Sequence, residues 1–436
     1  MIDQLKQNKI TSDLLSHIRL NYSFKLWMGF LLTTFAICLY AYATQLENGL
    51  IVTGLGDYVS WGMYISNFVF FVATSLIGML ISSVLILSGA KWAAPLARIA
   101  EIIALAFAAV AGLVIVSDMG RPERLINVFL YGRIQSPILW DVTVVTVYVL
   151  ISTLLLYLPL IPDMKICYEK LDKTPKYLRN IYKFLSLNWI GSVEQEKIIK
   201  KSIFILSILI IPVALAIHTV TSWLFASTSR IGWDSSIFGP YFVSGAFVSG
   251  SAAVIIAMAV YRNSYNLKDY ITDMHFDKMG KLLVLVSLVY LYFNLNEYMV
   301  PGYKMKKFDA MHLHDLFTGS HAFLFWSVQL FGLVIPIILL LFKKMRKPTP
   351  MVIIALFVIF GAWFKRYIIV IPTMEHPFLP IQNVPYSFKV YTPTLTESLI
   401  SLAPIILVLI IITSLSKLIP IIPVQETFEH YEEETK

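Results

Sequence analysis

Continuous apolar runs of about 20 residues recur along this chain, and each is long enough to cross the ~30 Å hydrocarbon layer of a bilayer as a helix. They lie near 24–44, 60–88, 95–117, 137–160, 202–226, 238–261, 281–300, 316–342, 351–371 and 395–419. Ten such runs restrict the fold severely. Lipid offers no partner for a backbone N–H or C=O, so a spanning segment must satisfy its own, and only helices and closed barrels do so. A barrel needs short alternating segments, which are absent here. The expected fold is an all-α integral membrane protein of about ten transmembrane helices. An apolar fraction of 57% with only 14% charged residues excludes a water-soluble domain of 436 residues.

Basic residues orient the helices. With ten spans both termini share a face, and that face receives 25 of the 35 Lys and Arg residues. By the positive-inside rule it is cytoplasmic. The chain then divides into a cytoplasmic segment 1–23, helices 1–4 over 24–160 and a cytoplasmic loop 161–201. Helices 5–9 follow over 202–371, then an outer loop 372–394, and helix 10 with a cytoplasmic tail over 395–436. The first 23 residues are mixed and polar, so no cleavable signal peptide is expected. The net charge of +8 resides in the cytoplasmic loops and calls for no nucleic acid. The acidic tail from Gln425 to Lys436 reads as disordered.

A weak internal echo points to a paired architecture. Trp61-Gly62-Met63-Tyr64 opens the second span and Phe238-Gly239-Pro240-Tyr241 the sixth, both from outside. The helix after each ends outside near an acid, Asp118 and Glu297. Two four-helix bundles are expected, helices 2–5 and 6–9, flanked by helices 1 and 10.

Charged residues close to hydrocarbon usually bind or move something. Between the third and fourth runs lie Asp118, Arg121, Glu123, Arg124, Arg133 and Asp141. Gly120 suits a left-handed position after a helix and Pro122 blocks its continuation. Ser136-Pro137 reads as an N-cap followed by proline at the first helical position. Asp118 and Asp141 should therefore lie at similar depth beneath the outer surface, with Arg121 and Arg124 near enough to keep one ionised. Tyr64 and His218 project to the same layer. Such a pocket suits a quinone, whose two-electron chemistry also moves two protons; the same residues could equally form a structural ion pair at a turn. Glu101, in the cytoplasmic half of helix 3, and Glu297 should face protein or water, as a proton path or as inert protonated acids. Lys365 and Arg366 can snorkel outward or pair with Glu375.

Metal and haem chemistry have weaker signals. Cys38 and Cys167 are the only cysteines, too few for an iron–sulfur cluster, and no C-x-x-C-H haem attachment is present. The His312-x-His314 pair has no third ligand at standard spacing, so no metal is expected. His218 and His321 could pair as axial ligands of a b-type haem. Aromatic, proline-rich outer loops suit the docking of an extracytoplasmic partner.

Several stretches together carry a resemblance: SWGMYISNFVFF, the R-x-x-E of Arg98 and Glu101, DMGRPERLINVFLYGRIQSPILWDV and AIHTVTSWLFA. They resemble the NrfD/PsrC family of quinone-interacting membrane subunits. GWDSSIFGPYFVSGAFVSG and RYIIVIPTMEHPFLP look most like its larger ten-helix members, the NrfD-type subunits of alternative complex III. The resemblance implies a subunit of the bacterial inner membrane with no redox centre of its own. It would bind menaquinone or ubiquinone as substrate in its N-terminal bundle, near the outer face. Electrons would pass to or from an extracytoplasmic ferredoxin-like iron–sulfur subunit, and thence a multihaem cytochrome c or molybdopterin-type subunit. A second NrfD-type membrane subunit is a further candidate partner. Carried over by motif, Asp118, Asp141 and His218 become the catalytic acid–base groups, with Trp61, Tyr64, Arg121 and Arg124 around the quinone. Glu101, Asp234 and Glu297 become candidates for proton conduction. Many relatives have His in the G-W-x-x-x-I-F stretch where this chain has Asp234. A secondary transporter and a haem b membrane anchor are the rival readings.

Overall fold

The computed structural model describes residues 9–18, 21–89, 94–171, 175–376, 385 and 388–427. Ten helices are long and apolar enough to span a membrane. They are α1 (Tyr22–Asn48), α2 (Met63–Ser88), α3 (Ala94–Asp118), α4 (Pro137–Lys170), α5 (Val193–Ala226), α6 (Phe238–Ser264), α7 (Asp273–Lys304), α8 (Ala322–Leu341), α9 (Pro348–Glu375) and α10 (Leu395–Leu418). No strand occurs among the described residues. The fold class expected from the apolar runs is the observed one. The acidic tail beyond 427 and the outer-loop residues 377–384 lie outside the described residues.

The helices form two four-helix bundles. In the first, α2 packs on α3 and α5, and α4 closes the ring against α3 and α5. In the second, α6 packs on α7 and α9, and α8 fills the gap between those two. Helices α2 and α6 press against each other and join the bundles, which makes α2 the most enclosed helix. Helices α1 and α10 pair with one another; α10 lies against α3, and α1 reaches the end of α3 through Tyr42 and Gln45.

Small residues set these crossings, as expected where packing rather than water exclusion drives helix association. A side chain at Gly250 of α6 would collide with Ile77 of α2, and one at Gly78 of α2 with the Ala100 carbonyl of α3. Gly332 and Gly361 bring α8 and α9 into backbone contact. At that crossing α8 widens into a π-helical turn, Leu330–Val334. Buried hydroxyls such as Thr74 donate back to the carbonyl one turn earlier, which keeps polar side chains satisfied within the helix.

Two stretches read as loops contain helix. Helix α4 runs on to Lys170 and α5 begins at Val193, capped by Ser192, so each has 34 residues, more than a bilayer crossing needs. Between them lies an amphipathic helix, Lys176–Leu185. Outside, Lys307–Phe317 forms its own helix before α8 starts at Ala322.

Candidate functional site

The end of the first bundle that the basic residues lead one to expect outside, called its outer end, is a hydrogen-bonded floor assembled from four helices. Tyr64, buried at the start of α2, donates to Gln45 Oε1 of α1 at 2.6 Å. Gln45 Nε2 in turn donates to the Ser117 carbonyl of α3 at 2.7 Å. The next residue, Asp118, ends α3, and its Oδ1 is buried without a hydrogen-bond partner. The charged group acting on Asp118 is Glu397, fully buried in the first turn of α10. Glu397 accepts from the Gly54 backbone at 2.9 Å and from the Tyr391 hydroxyl, which itself accepts from the Met63 N–H at 3.0 Å. Thr394 caps α10 and also donates to the Val52 carbonyl at 2.8 Å. Segment 391–397 thus clamps the outer loop 49–62 onto the head of α2.

Arg121 and Arg124 do not take part. Both are exposed, and among the described residues neither pairs with Asp118. The reason is local. Gly120 does not adopt the left-handed conformation, and the chain leaves α3 through Arg121 into a 3-10 turn, Pro122–Leu125, that carries both guanidinium groups outward. The start of α4 is as expected, with Ser136 at the N-cap and Pro137 opening the helix.

Asp141 belongs to a separate locus between α4 and α5. It is buried, and the Thr221 hydroxyl lies 2.5 Å from its Oδ1. No hydrogen bond or ion pair among the described residues joins Asp141 to Asp118. One helical turn before Thr221, His218 is buried against α2 and hydrogen-bonds the Val72 backbone. With one ring nitrogen so engaged, its Nε2 has no partner. Arg366 of α9 is the charged group nearest it in effect, so His218 faces the seam between the bundles. Trp61 stands apart from the acids. It stacks on Trp233 with centroids 5.7 Å apart and meets Phe225 edge-on at 5.5 Å.

The second bundle holds its polar groups differently. At its outer end a cavity of about 280 Å³ is lined by Asp234, Glu297, Tyr241, Tyr298, Lys304 and His312, among others. Asp234 and Glu297 are thus brought together on the cavity wall with Ser235, and Glu297 Oε2 is buried without a hydrogen-bond partner. Beneath it Lys365 bonds the Tyr298 hydroxyl and lies over the Tyr298, Phe325 and Tyr241 rings at 4.7, 5.6 and 5.7 Å. Tyr241 stacks on Tyr290 at 5.3 Å and donates to Asn294 at 3.1 Å, and Asn294 donates to Gln329 at 2.7 Å. Lys365 and Arg366 are 2% and 3% exposed, so they neither snorkel outward nor reach Glu375. Two groups at the outer rim feel the cavity wall. Burial, with the charge of Asp234, raises the Asp309 carboxyl above its usual range. Burial pushes His312 down to about 4, so it is neutral at physiological pH.

Glu101 lies far from this cavity in sequence and in depth. It accepts from Ser82 in the half of the first bundle remote from Tyr64 and Asp118. Nearby Arg98 pairs with Asp163, which also accepts from the backbone N–H groups of Val424 and Gln425 at 3.2 Å each. His218 and His321, the pair weighed as haem ligands, belong to different networks: His321 lies at the outer surface between Asp315 and Glu375. Gln45, Glu397 and Tyr391 escaped the sequence reading. An isolated acid at the first turn of the last apolar run was the available signal for Glu397.

The family model NrfD, polysulphide reductase, matches residues 51–376, three quarters of the chain. A Halobacterium salinarum protein assigned as a membrane component of dimethyl sulfoxide reductase is 28% identical over 347 residues, covering 78% of this chain and 75% of that one. A selenate reductase subunit from Mesobacillus selenatarsenatis is 25% identical over 385 residues, covering 85% and 88%. The Hdr-like menaquinol oxidoreductase integral membrane subunit of Archaeoglobus fulgidus is 23% identical over 313 residues, covering 71% and 69%. With its ten apolar helices in two bundles, the chain belongs to the NrfD, polysulphide reductase, family, and is a multi-pass membrane subunit of an oxidoreductase.

Proposed function

We propose that this subunit exchanges electrons and protons between membrane quinone and an iron–sulfur subunit docked on its extracytoplasmic face. The observation that carries the reading is Asp118. Its Oδ1 is buried and unpartnered at the outer edge of the first bundle, beside the Tyr64–Gln45 pair. A buried carboxylate oxygen left unmade costs free energy, and a quinol hydroxyl is a donor of the right kind to meet it. Quinol oxidation breaks two O–H bonds and releases two electrons and two protons. Asp118 at the outer layer accepts a proton there, and outer water takes it on. The electrons leave to the docked subunit. Reduction uses the same groups in reverse.

The outer segment next to Asp118 supports docking at this place. Ile126, Phe129, Leu130, Tyr131 and Ile134 are all more than half exposed there. An apolar patch of this kind marks a contact site, and a partner seated on it lies close to Asp118. The Archaeoglobus relative, named a menaquinol oxidoreductase subunit, favours menaquinol as the substrate. A multihaem cytochrome c or molybdopterin-type subunit beyond the iron–sulfur protein completes the electron path, in a bacterial inner membrane with both termini cytoplasmic.

Proton translocation is a second reading, favoured by the cavity that holds Asp234 and Glu297 on the outer side while Glu101 is buried on the other.

The decisive variant is Asp118→Asn in the assembled complex. Quinol turnover should fall at least about tenfold, or roughly 1.4 kcal/mol on the barrier, while co-purification of the partner subunits persists. Unchanged turnover removes Asp118 from the quinone site.

A further inference from the structure

The outer surface beside the second bundle carries a cluster that the quinone reading does not use. Asp315, at the end of the helix Lys307–Phe317, His321, just before α8, and Glu375, the last residue of α9, place one ligand atom each within 4.8 Å of one another. Asp315 Oδ2 is the common vertex, 2.9 Å from His321 Nδ1 and 3.5 Å from His376 Nε2. Glu375 Oε2 lies 3.5 Å from His321 Nε2. The second oxygen of each carboxylate is already held. Asp315 Oδ1 accepts from the Ser320 N–H at 3.1 Å and its hydroxyl at 2.6 Å, and Glu375 Oε1 accepts from the Tyr391 N–H at 2.8 Å.

We propose that Asp315, His321 and Glu375, with His376 at the edge of the group beside Asp315, form a binding site for a divalent transition-metal cation, of which zinc is the best-matched member. Ligands at about 2.0–2.2 Å from a tetrahedral ion sit roughly 3.3–3.5 Å from each other. The Asp315 Oδ2–His376 Nε2 separation has that value, and Asp315 Oδ2 and His321 Nδ1 are closer by about half an ångström. Glu375 approaches the other nitrogen of the His321 ring, so one ion takes a single His321 nitrogen and draws in the ligands that lie within 4.8 Å. His376 Nε2 is buried and has no hydrogen-bond partner. Two imidazoles with two carboxylates suit zinc, whereas calcium and magnesium favour all-oxygen sets. The fixed carboxylate oxygens supply the outer support that metal sites use to aim their ligands. The residues come from separate elements, so a bound ion ties the Lys307–Phe317 helix and the start of α8 to the end of α9. His312 continues the cluster toward the cavity: its ring is 6.0 Å from that of His376 and it lines the cavity wall. A cation here therefore braces the cavity rim.

The test uses the full chain purified in detergent, stripped with a chelator and titrated with zinc chloride by calorimetry, with bound metal counted by atomic emission. One zinc per chain is expected, with a zinc-dependent rise in the unfolding midpoint. His376→Gln, a change at a partly exposed side chain, should weaken zinc at least tenfold and remove most of that rise. Asp315→Asn with His321→Gln should abolish both. His314→Ala, exposed on the same short helix, should leave both unchanged. Absence of zinc binding by the unmodified chain overturns the proposal, leaving a His321 held between two carboxylates. Equal zinc affinity in the unmodified chain and His376→Gln, or zinc binding lost in His314→Ala, overturns it as well.

Discussion

At the outer ends the bundles differ in what lies beside the acid: among the described residues Asp118 and Asp141 of the first have no cation near them, whereas Glu297 of the second feels Lys365. Asp141 has a threonine hydroxyl, and Asp118 has an oxygen with nothing at all. Glu297 also keeps a buried oxygen without a partner, Oε2, but it feels Lys365, which is itself wedged among three aromatic rings. The difference matches the division of roles proposed above. On that proposal the open acceptor without a cation, Asp118 Oδ1, is the one that meets a neutral two-electron carrier. A bundle that keeps a polar cavity beneath its outer surface needs its charges balanced internally, since an uncompensated buried charge costs several kcal/mol. Helix order is the same in both bundles, so the contrast lies in side chains rather than in topology.

The largest effect should come from Arg98–Asp163, the buried ion pair of the first bundle among the described residues. Arg98→Ala leaves Asp163 buried without its cation, which costs about 3–5 kcal/mol for a broken buried pair. Two backbone N–H groups still reach Asp163, so the lower end is expected. Detergent unfolding of the purified chain measures it, and Arg98→Met with Asp163→Leu should recover most of the loss. If the double variant is no better than the single one, the pair does more than hold the helices together.

Next is the second bundle. Lys365→Met removes the cation felt by Glu297 without breaking a direct salt bridge, so roughly 2 kcal/mol of stability should go. Glu297→Gln on that background should restore much of it. In the assembled complex, Glu297→Gln alone should leave quinol turnover within about twofold while Asp118→Asn does not, because only a transition-state contact carries the tenfold effect. Should Glu297→Gln match Asp118→Asn, the division of labour between the bundles fails and the quinone belongs in the cavity.

The ten helices were legible because a bilayer demands about 20 apolar residues per crossing, and little else satisfies that demand. The paired bundles were legible from the Trp61–Tyr64 and Phe238–Tyr241 echo, and Tyr64 and Tyr241 do occupy corresponding buried positions. The partners of the site were not legible. Glu397 meets Gly54 across 343 residues, and no spacing rule connects positions so distant. Arg121 and Arg124 misled in the opposite way, since nearness in sequence to Asp118 says nothing about a turn that swings them outward. Lys365 and Arg366 show a third limit. On a helix apolar nearly all round, the pattern does not say which face is interior.

The smallest effect separates a support from a contact. Tyr64→Phe removes the donor to Gln45 Oε1 and leaves that oxygen buried, while Gln45 keeps its bond to the Ser117 carbonyl. A lost neutral hydrogen bond of this kind costs about 1 kcal/mol. If Tyr64 only holds the end of α3 in place, quinol turnover should drop about two- to threefold, chiefly through a higher KM, because Asp118 is displaced slightly rather than lost. Gln45→Ala should then do at least as much, as it breaks both the α1–α2 bond and the α1–α3 bond. A tenfold fall in kcat for Tyr64→Phe, with Gln45→Ala near normal, would instead put the tyrosine hydroxyl against the quinone itself. In that case the open acceptor of the first bundle works with a donor beside it, and its outer end is a complete two-point grip on the head group.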